Sequence, residues 1–387
     1  MPLTPPMAAT ISTFEAVSPA IARTRAILFR DFRFWRFLKL TFVAGLSQYP
    51  ILNLFFGILI YGSILTAVAY CSVSIYLHAH PGNGTALVVG VILLVILLLL
   101  AIAFGFAYLF TRLRMAMIGV LATEDTEIRP AMREFGRKTW SYLGLIFVVL
   151  LLLLVPLTLI LVPAGYHFFE AFRQIAPQLN QPHGTPPPAG FIPLIISLEL
   201  GLYAAIFLVI IILRLAETTT RDIMMIPMAL EEASAGESFG FLRGLFQVER
   251  GRTLGHILFH ALLEFAGAMI AVILAYLPAV ILGLLGALIG FGLANGLWHN
   301  GPGGQVLVIA YAVTAALIFI AVFVALLTAT IGTAAIFTQS HALEYLSPRY
   351  LPLNALMNPT AFSTLESGAR ISPFPAPPQE PPPAGTF

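Results

Sequence analysis

Two stretches of this chain, VVGVILLVILLLLAIAF at Val88–Phe104 and LGLIFVVLLLLLVPLTLILV at Leu143–Val162, contain no charged side chain. A helix needs ~20 apolar residues to cross the ~30 Å hydrocarbon layer, and lipid offers no partner to a free backbone N–H or C=O. Runs of this kind commit the chain to a helical membrane fold. Composition agrees: of 387 residues, 59% are hydrophobic and 10% charged, with a mean hydropathy of +0.92, whereas soluble domains hold roughly 25% charged residues.

Six segments are long and apolar enough to span: Ile51–Tyr76, Thr85–Phe110, Ser141–Pro163, Ile192–Leu213, Leu254–Tyr276 and Val306–Ala334. The stretch Leu277–Gln305 is also apolar, but it holds Pro278 and many glycines and reads as a re-entrant or interfacial segment. Lys and Arg are retained on the cytoplasmic side of a membrane. Basic residues from Arg23 to Lys39 precede the first span, those from Arg112 to Lys138 separate the second and third, and those from Arg214 to Arg252 separate the fourth and fifth. Arg349 and Arg370 follow the last span, so with both termini inside only Arg173 is exported. The expected fold is all-α: a polytopic membrane protein of about six transmembrane helices in three hairpins, with amphipathic cytoplasmic helices between them.

The net charge of +2 is too balanced to suggest a nucleic-acid partner. Cys71 is the one cysteine, which excludes an intramolecular disulfide and a multi-cysteine metal site. Residues 1–22 lack Lys and Arg, and the apolar run Met7–Ile11 is too short for a secretory signal, so no cleaved leader is expected. Residues 1–22 read as a flexible N-terminus, 23–353 as one transmembrane domain, and 354–387, ending SPFPAPPQEPPPAGTF, as a disordered proline-rich tail.

A basic, aromatic-containing segment precedes each hairpin: RAILFRDFRFWRFLKL, IRPAMREFGRKTWSYLGL and SFGFLRGLFQVERGRTLG. Charges three or four apart with apolar residues on other faces suit helices lying in the headgroup layer, where anionic lipid attracts the basic side chains. Membrane lipids are thus the expected partners, with a protein partner at the cytoplasmic loops or the C-terminal tail as the other use of these surfaces.

Ionisable groups inside a bilayer are costly, about 2.5–3.5 kcal/mol at a helix centre on insertion scales, so each poses a functional question. Glu199 lies in the fourth span; His256, His260 and Glu264 lie in the fifth, at i, i+4 and i+8 on one stripe. An i, i+4 histidine pair can chelate one metal ion, but Glu264 lies ~12 Å along the axis from His256 and cannot join the same ion as both. The stripe reads as a polar seam bonding helix to helix, with a metal site or proton relay, or a water-filled cavity, as alternatives. Glu199 and Glu264 could also meet across the bundle and share a proton. Pro156 and Pro278 offer possible helix breaks, and Gly286-xxx-Gly290 permits close helix packing. The chain has no Gly-x-x-x-x-Gly-Lys loop, no His-Glu-x-x-His pair and no Gly-x-Ser-x-Gly elbow, so no catalytic, cofactor or metal residue is assigned.

The stretches TRDIMMIPMALEEASAGESFGFLRGLF, RLRMAMIGVLATEDTEIRPAMREFGRKTWSYLGL and IFTQSHALEYLSPRYLPL resemble polytopic bacterial membrane proteins of unknown function. These are similar to the membrane domain found beside some glycerophosphoryl diester phosphodiesterases. The resemblance covers roughly Phe32–Leu353 and implies a six-helix bundle with amphipathic linkers in a bacterial cytoplasmic membrane; it brings no active-site residue. No hydrophilic segment is long enough for the soluble phosphodiesterase domain, so that activity is not expected. The expected role is a non-enzymatic envelope or lipid-associated interaction component. The alternatives are a small-solute or ion transporter using Glu199, His260 and Glu264, and a lipid-modifying membrane enzyme.

Overall fold

The computed structural model describes residues 11–48, 51–52, 54, 57, 84–124, 136–179, 191–231 and 233–359, and no strand occurs among them. Two short helices, α1 (Val17–Phe29) and α2 (Phe34–Ser47), precede three long ones: α3 (Gly84–Thr123), α4 (Gly136–Leu179) and α5 (Phe191–Thr219). A π-helical turn, Thr220–Met224, joins α5 to the short α6 (Met225–Leu230). Two more long helices follow, α7 (Ala235–Leu297) and α8 (Pro302–Leu346), and after a 3₁₀ turn at Ser347–Arg349 the short α9 (Leu351–Met357).

Among the described residues, five helical stretches are long and apolar enough to cross a membrane: Leu93–Thr123, Lys138–His167, Glu199–Leu230, Ala235–Leu297 and Pro302–Arg349. The chain is therefore an all-helical, multi-pass membrane protein. Most of the segment expected to form the first span, Ile51–Tyr76, lies outside the described residues, as do Cys71, most of the proline-rich stretch Gln178–Gly190 and the tail from residue 360.

Burial divides the long helices. At one end, which we call the base, Met115–Leu121 of α3, Tyr142–Ile146 of α4, Leu213 of α5, all of Ile223–Ile226, and Ile336–Leu346 of α8 converge with α1, α2 and α9 into one core. Towards the other end the same helices turn apolar side chains outward, as at Leu97, Leu152, Phe207, Leu284 and Leu317. Side chains of that kind stay outside water only if lipid surrounds them. Aromatic rings mark the limits on α4. Exposed Trp140 packs on Tyr108 at 5.2 Å near the base, and exposed Tyr166 lies 26 residues on, about 39 Å at 1.5 Å per residue. That separation matches the ~40–45 Å of a bilayer with its interfaces, where aromatic belts gather.

The last hairpin departs from the sequence reading. Residues 277–297, expected as a separate re-entrant or interfacial segment, continue α7 without interruption, and the chain turns only at Trp298–Gly301. Pro278 does not end the helix, because a membrane helix with packed neighbours tolerates the one lost backbone hydrogen bond. The turn is made by Gly301, at φ +82°, with Pro302 opening α8. Gly286 and Gly290 serve packing between the two helices: Tyr311 of α8 donates its hydroxyl to the Gly286 carbonyl at 3.0 Å, and a Cβ on Gly290 would press on the Tyr311 ring at 3.2 Å.

Of the segment expected as a flexible N-terminus, residues 1–10 lie outside the described residues. Beyond them, Ser12 and Glu15 bond reciprocally in a capping box, and the Ile11 and Thr13 carbonyls accept from Arg349 and His341. The third basic segment forms the first arm of α7. It starts at a Ser234–Glu237 capping box, buries Phe241, Leu242 and Leu245 in the base, and breaks at Glu249 (φ −136°, ψ 52°).

Candidate functional site

Many of the buried polar residues lie in the base in an assembly of two parts. Its outer part joins α3 to α5. Arg114 and Glu217, each 1% exposed, pair at 2.8 Å. Arg114 Nε donates to the Ser47 carbonyl at 2.7 Å, and Glu217 Oε2 accepts from the Leu52 amide at 3.0 Å. The pair thus serves one unfilled carbonyl at the end of α2 and one unfilled amide of the helical residues just beyond.

The inner part is built on the π turn. One extra residue in the turn lets all of Thr220–Met224 face the core, so Arg221 and Asp222, adjacent in sequence, are both buried. Arg221 donates to Asp222 through Nε at 2.6 Å and Nη2 at 3.1 Å, and to Gln48 Oε1 through Nη1 at 2.6 Å. It also pairs with Glu264 Oε1. His260 Nε2 lies 3.0 Å from Asp222 Oδ2 and 3.3 Å from Arg221 Nη2. Its Nδ1 faces Nδ1 of His341 at 3.2 Å, and His341 Nε2 reaches the Thr13 carbonyl at 2.9 Å.

This line of two imidazoles has a definite hydrogen count. A donor to Thr13, a donor between the rings and a donor to Asp222 make three ring protons, and two neutral imidazoles supply two. With three, the line is complete from Thr13 to Asp222; with two, His260 Nε2 can accept from Arg221 Nη2. His256 stands beside this line, stacked on Tyr345 with centroids 3.7 Å apart and planes 3° apart, and neither ring nitrogen has a hydrogen-bond partner among the described residues.

Of the four residues singled out from sequence, the fold brings His256, His260 and Glu264 together and leaves Glu199 out. Glu199 is exposed on α5, 15 residues before Arg214. Arg214 lies 3.8 Å from Glu264, so Glu199 sits about 22 Å away along the helix and cannot share a proton with Glu264. Arg114, Glu217, Arg221, Asp222 and His341 complete the site from helix ends that carry charges and so resemble loop in sequence. Their signal was helical register: Glu217 and Arg221 are four apart in a run that stays apolar through MMIPMAL. Among the described residues no group of three or more His, Cys, Asp or Glu side chains has the arrangement to hold a metal ion.

Long apolar helices joined at a polar base define a multi-pass helical membrane protein. Within that class, the chain belongs to the family of unknown function DUF7544, whose model matches residues 11–355. That match spans the whole of the region of resemblance, Phe32–Leu353, and nothing in it ties the chain to the membrane domains of glycerophosphoryl diester phosphodiesterases. No curated protein and no solved structure matches the chain.

Proposed function

We propose that this protein is a non-enzymatic, lipid-associated interaction component of a bacterial cytoplasmic membrane, with both termini cytoplasmic, that acts through a basic interfacial surface. The elbow between α1 and α2 carries this reading. Phe29, Phe32 and Phe37 pack ring on ring, with centroids between 5.7 and 6.2 Å apart, and Trp35 beside them is 77% exposed. Arg25, Arg30, Arg33 and Lys39 are exposed around those rings. Bulky rings ringed by guanidinium groups suit the headgroup layer, where each basic side chain near an anionic surface contributes about 1 kcal/mol. A soluble partner at the cytoplasmic loops or the tail would share this surface.

Trp35 reports the contact directly. In a Trp140→Phe, Trp298→Phe background reconstituted into bilayers, brominated phosphatidylglycerol should quench its fluorescence more strongly than brominated phosphatidylcholine. Replacing Arg30 and Arg33 by Gln should remove the difference. Equal quenching by both lipids in the parent protein would count against the reading.

The line of imidazoles favours a second reading, an ion transporter that conducts protons. Vesicles holding the protein would then dissipate an imposed pH gradient faster than empty vesicles, and His341→Gln would abolish the gain. Identical rates rule it out.

A further inference from the structure

Glu264 uses one carboxylate oxygen inside the core and leaves the other without a hydrogen bond. Oε1 is engaged by Arg221, whereas Oε2 has no hydrogen-bond partner although the side chain is 7% exposed. Arg214 Nη1 lies 3.8 Å from Oε2, too far for a hydrogen bond. An ionised oxygen this deep is expensive to leave without a donor. Arg214 is 35% exposed and covers it loosely, so the guanidinium is free to swing outward.

The two residues line a cleft of about 210 Å³ between α2, α5, α7 and α8. Gln48 and Thr338 add an amide and a hydroxyl to its lining, while Ala268 and Ile331 make its apolar side. The volume is below the roughly 300–1,000 Å³ that encloses a whole small molecule, so the cleft suits a polar group whose remainder lies outside. Its position says where that remainder goes. On α5 the exposed apolar side chains end at Ile211, just before Arg214, and on α7 Phe265 and Met269 beside the cleft face outward. The cleft therefore opens at the level where the lipid-facing surface meets the base.

Charge narrows the ligand further. Arg214 and Arg221 offset Asp222 and Glu264, so the immediate surroundings carry no net charge. A simple anion meets Glu264 and a simple cation meets Arg214; a group with both signs satisfies each. We propose that the cleft binds the zwitterionic headgroup of a phospholipid bearing a primary ammonium. The ammonium donates to Glu264 Oε2, displacing Arg214, which swings out onto the phosphate, and the acyl chains lie along the outer faces of α7 and α8. A quaternary ammonium has no N–H to donate, and a glycerol headgroup has no cation, so both bind more weakly. This inference needs the bilayer but not the elbow of α1 and α2.

The test uses the full-length protein purified in detergent, with thermal stabilisation and retained lipid in native mass spectrometry as readouts. Phosphatidylethanolamine should be retained several-fold over phosphatidylcholine and phosphatidylglycerol. Arg214→Gln, which removes the cation that receives the phosphate, should lower retention of phosphatidylethanolamine several-fold with little change in the melting temperature of the lipid-free protein, since Arg214 makes only a long contact. Ala268→Trp, which fills the apolar side without touching a charge, should abolish the preference. Arg30→Gln with Arg33→Gln should leave it intact, which separates this site from the elbow. Equal retention of the three lipids, or a preference that survives both cleft variants, overturns the proposal. Stabilisation by soluble phosphoethanolamine equal to that by the lipid overturns the assignment to a membrane source.

Discussion

Arg114 and Glu217 form one buried ion pair, 2.8 Å apart, and each partner also bonds to backbone on either side of the break between α2 and the helical residues that follow. Removing one charge from such a pair leaves the other buried and unpaired, which costs about 3–5 kcal/mol. Arg114→Met and Glu217→Gln should each lower the thermal midpoint sharply. The double variant should lose less than the sum of the two, and a double-mutant cycle on detergent-solubilised protein reads the coupling. Additive losses would show that the pair does not hold the helices.

Gly332 of α8 is where α2 crosses most closely. A Cβ there would collide with the Thr41 backbone, which cannot move without displacing α2. Gly332→Ala should therefore destabilise by about 1–3 kcal/mol or more, as overpacking does. Gly105→Ala on α3 meets nothing within 4 Å and should be neutral or slightly stabilising. Thermal unfolding of the two variants side by side checks the contrast.

Tyr350 donates its hydroxyl to Glu231 Oε2 at 2.6 Å. Burial first, and then this bond, push its phenol well above the usual tyrosine range. A raised folded-state value stabilises fully below the unfolded value of about 10 and is lost only as pH climbs through the folded value. Tyr350→Phe should thus cost about 1–2 kcal/mol, evenly from pH 6 to 9. The gap between variant and parent should shrink only in strongly alkaline buffer, and a gap that closes near neutrality would contradict the assignment.

Arg349 sits 3.8 Å above the Tyr345 ring, donates to Glu249 at 2.9 Å, and also reaches the Tyr345 and Ile11 carbonyls. It therefore holds the break in α7, the end of α8 and the start of the chain together. A lysine has no planar fork to make these contacts at once. Arg349→Lys should loosen the N-terminal segment, seen as faster amide exchange across residues 11–16, while far-UV helicity stays near its parent value.

Asn300 and Asn358, both exposed, lie beyond opposite ends of α8. In a Cys71→Ser background, single cysteines at the two positions should react with an impermeant maleimide from opposite sides of the membrane. Reaction from the same side would refute α8 as a membrane span.

Several features could be read from residue order. Uncharged runs such as Leu143–Val162 announce their helices, because backbone polar groups in lipid have no other solution. The stripe of His256, His260 and Glu264 was legible from its spacing of four. The continuation of α7 past Pro278 was not, since glycine and proline break helices in water far more readily than between packed membrane helices. Nor was His341, which meets His260 only because α8 returns antiparallel to α7 and brings together residues 81 positions apart.

The sequence by itself determined that this chain is a helical membrane protein and where most of its apolar runs fall, because hydropathy and backbone satisfaction act locally along the chain. Only the tertiary structure decided which charges pair. By residue order Arg114, Arg221 and Arg349 belong to a basic fringe; in the fold Arg114 pairs with Glu217, Arg221 with Asp222 and Glu264, and Arg349 with Glu249, as the buried connections of the base. Burial of a charge depends on what other helices bring to it, and that information is spread over residues far apart in the chain.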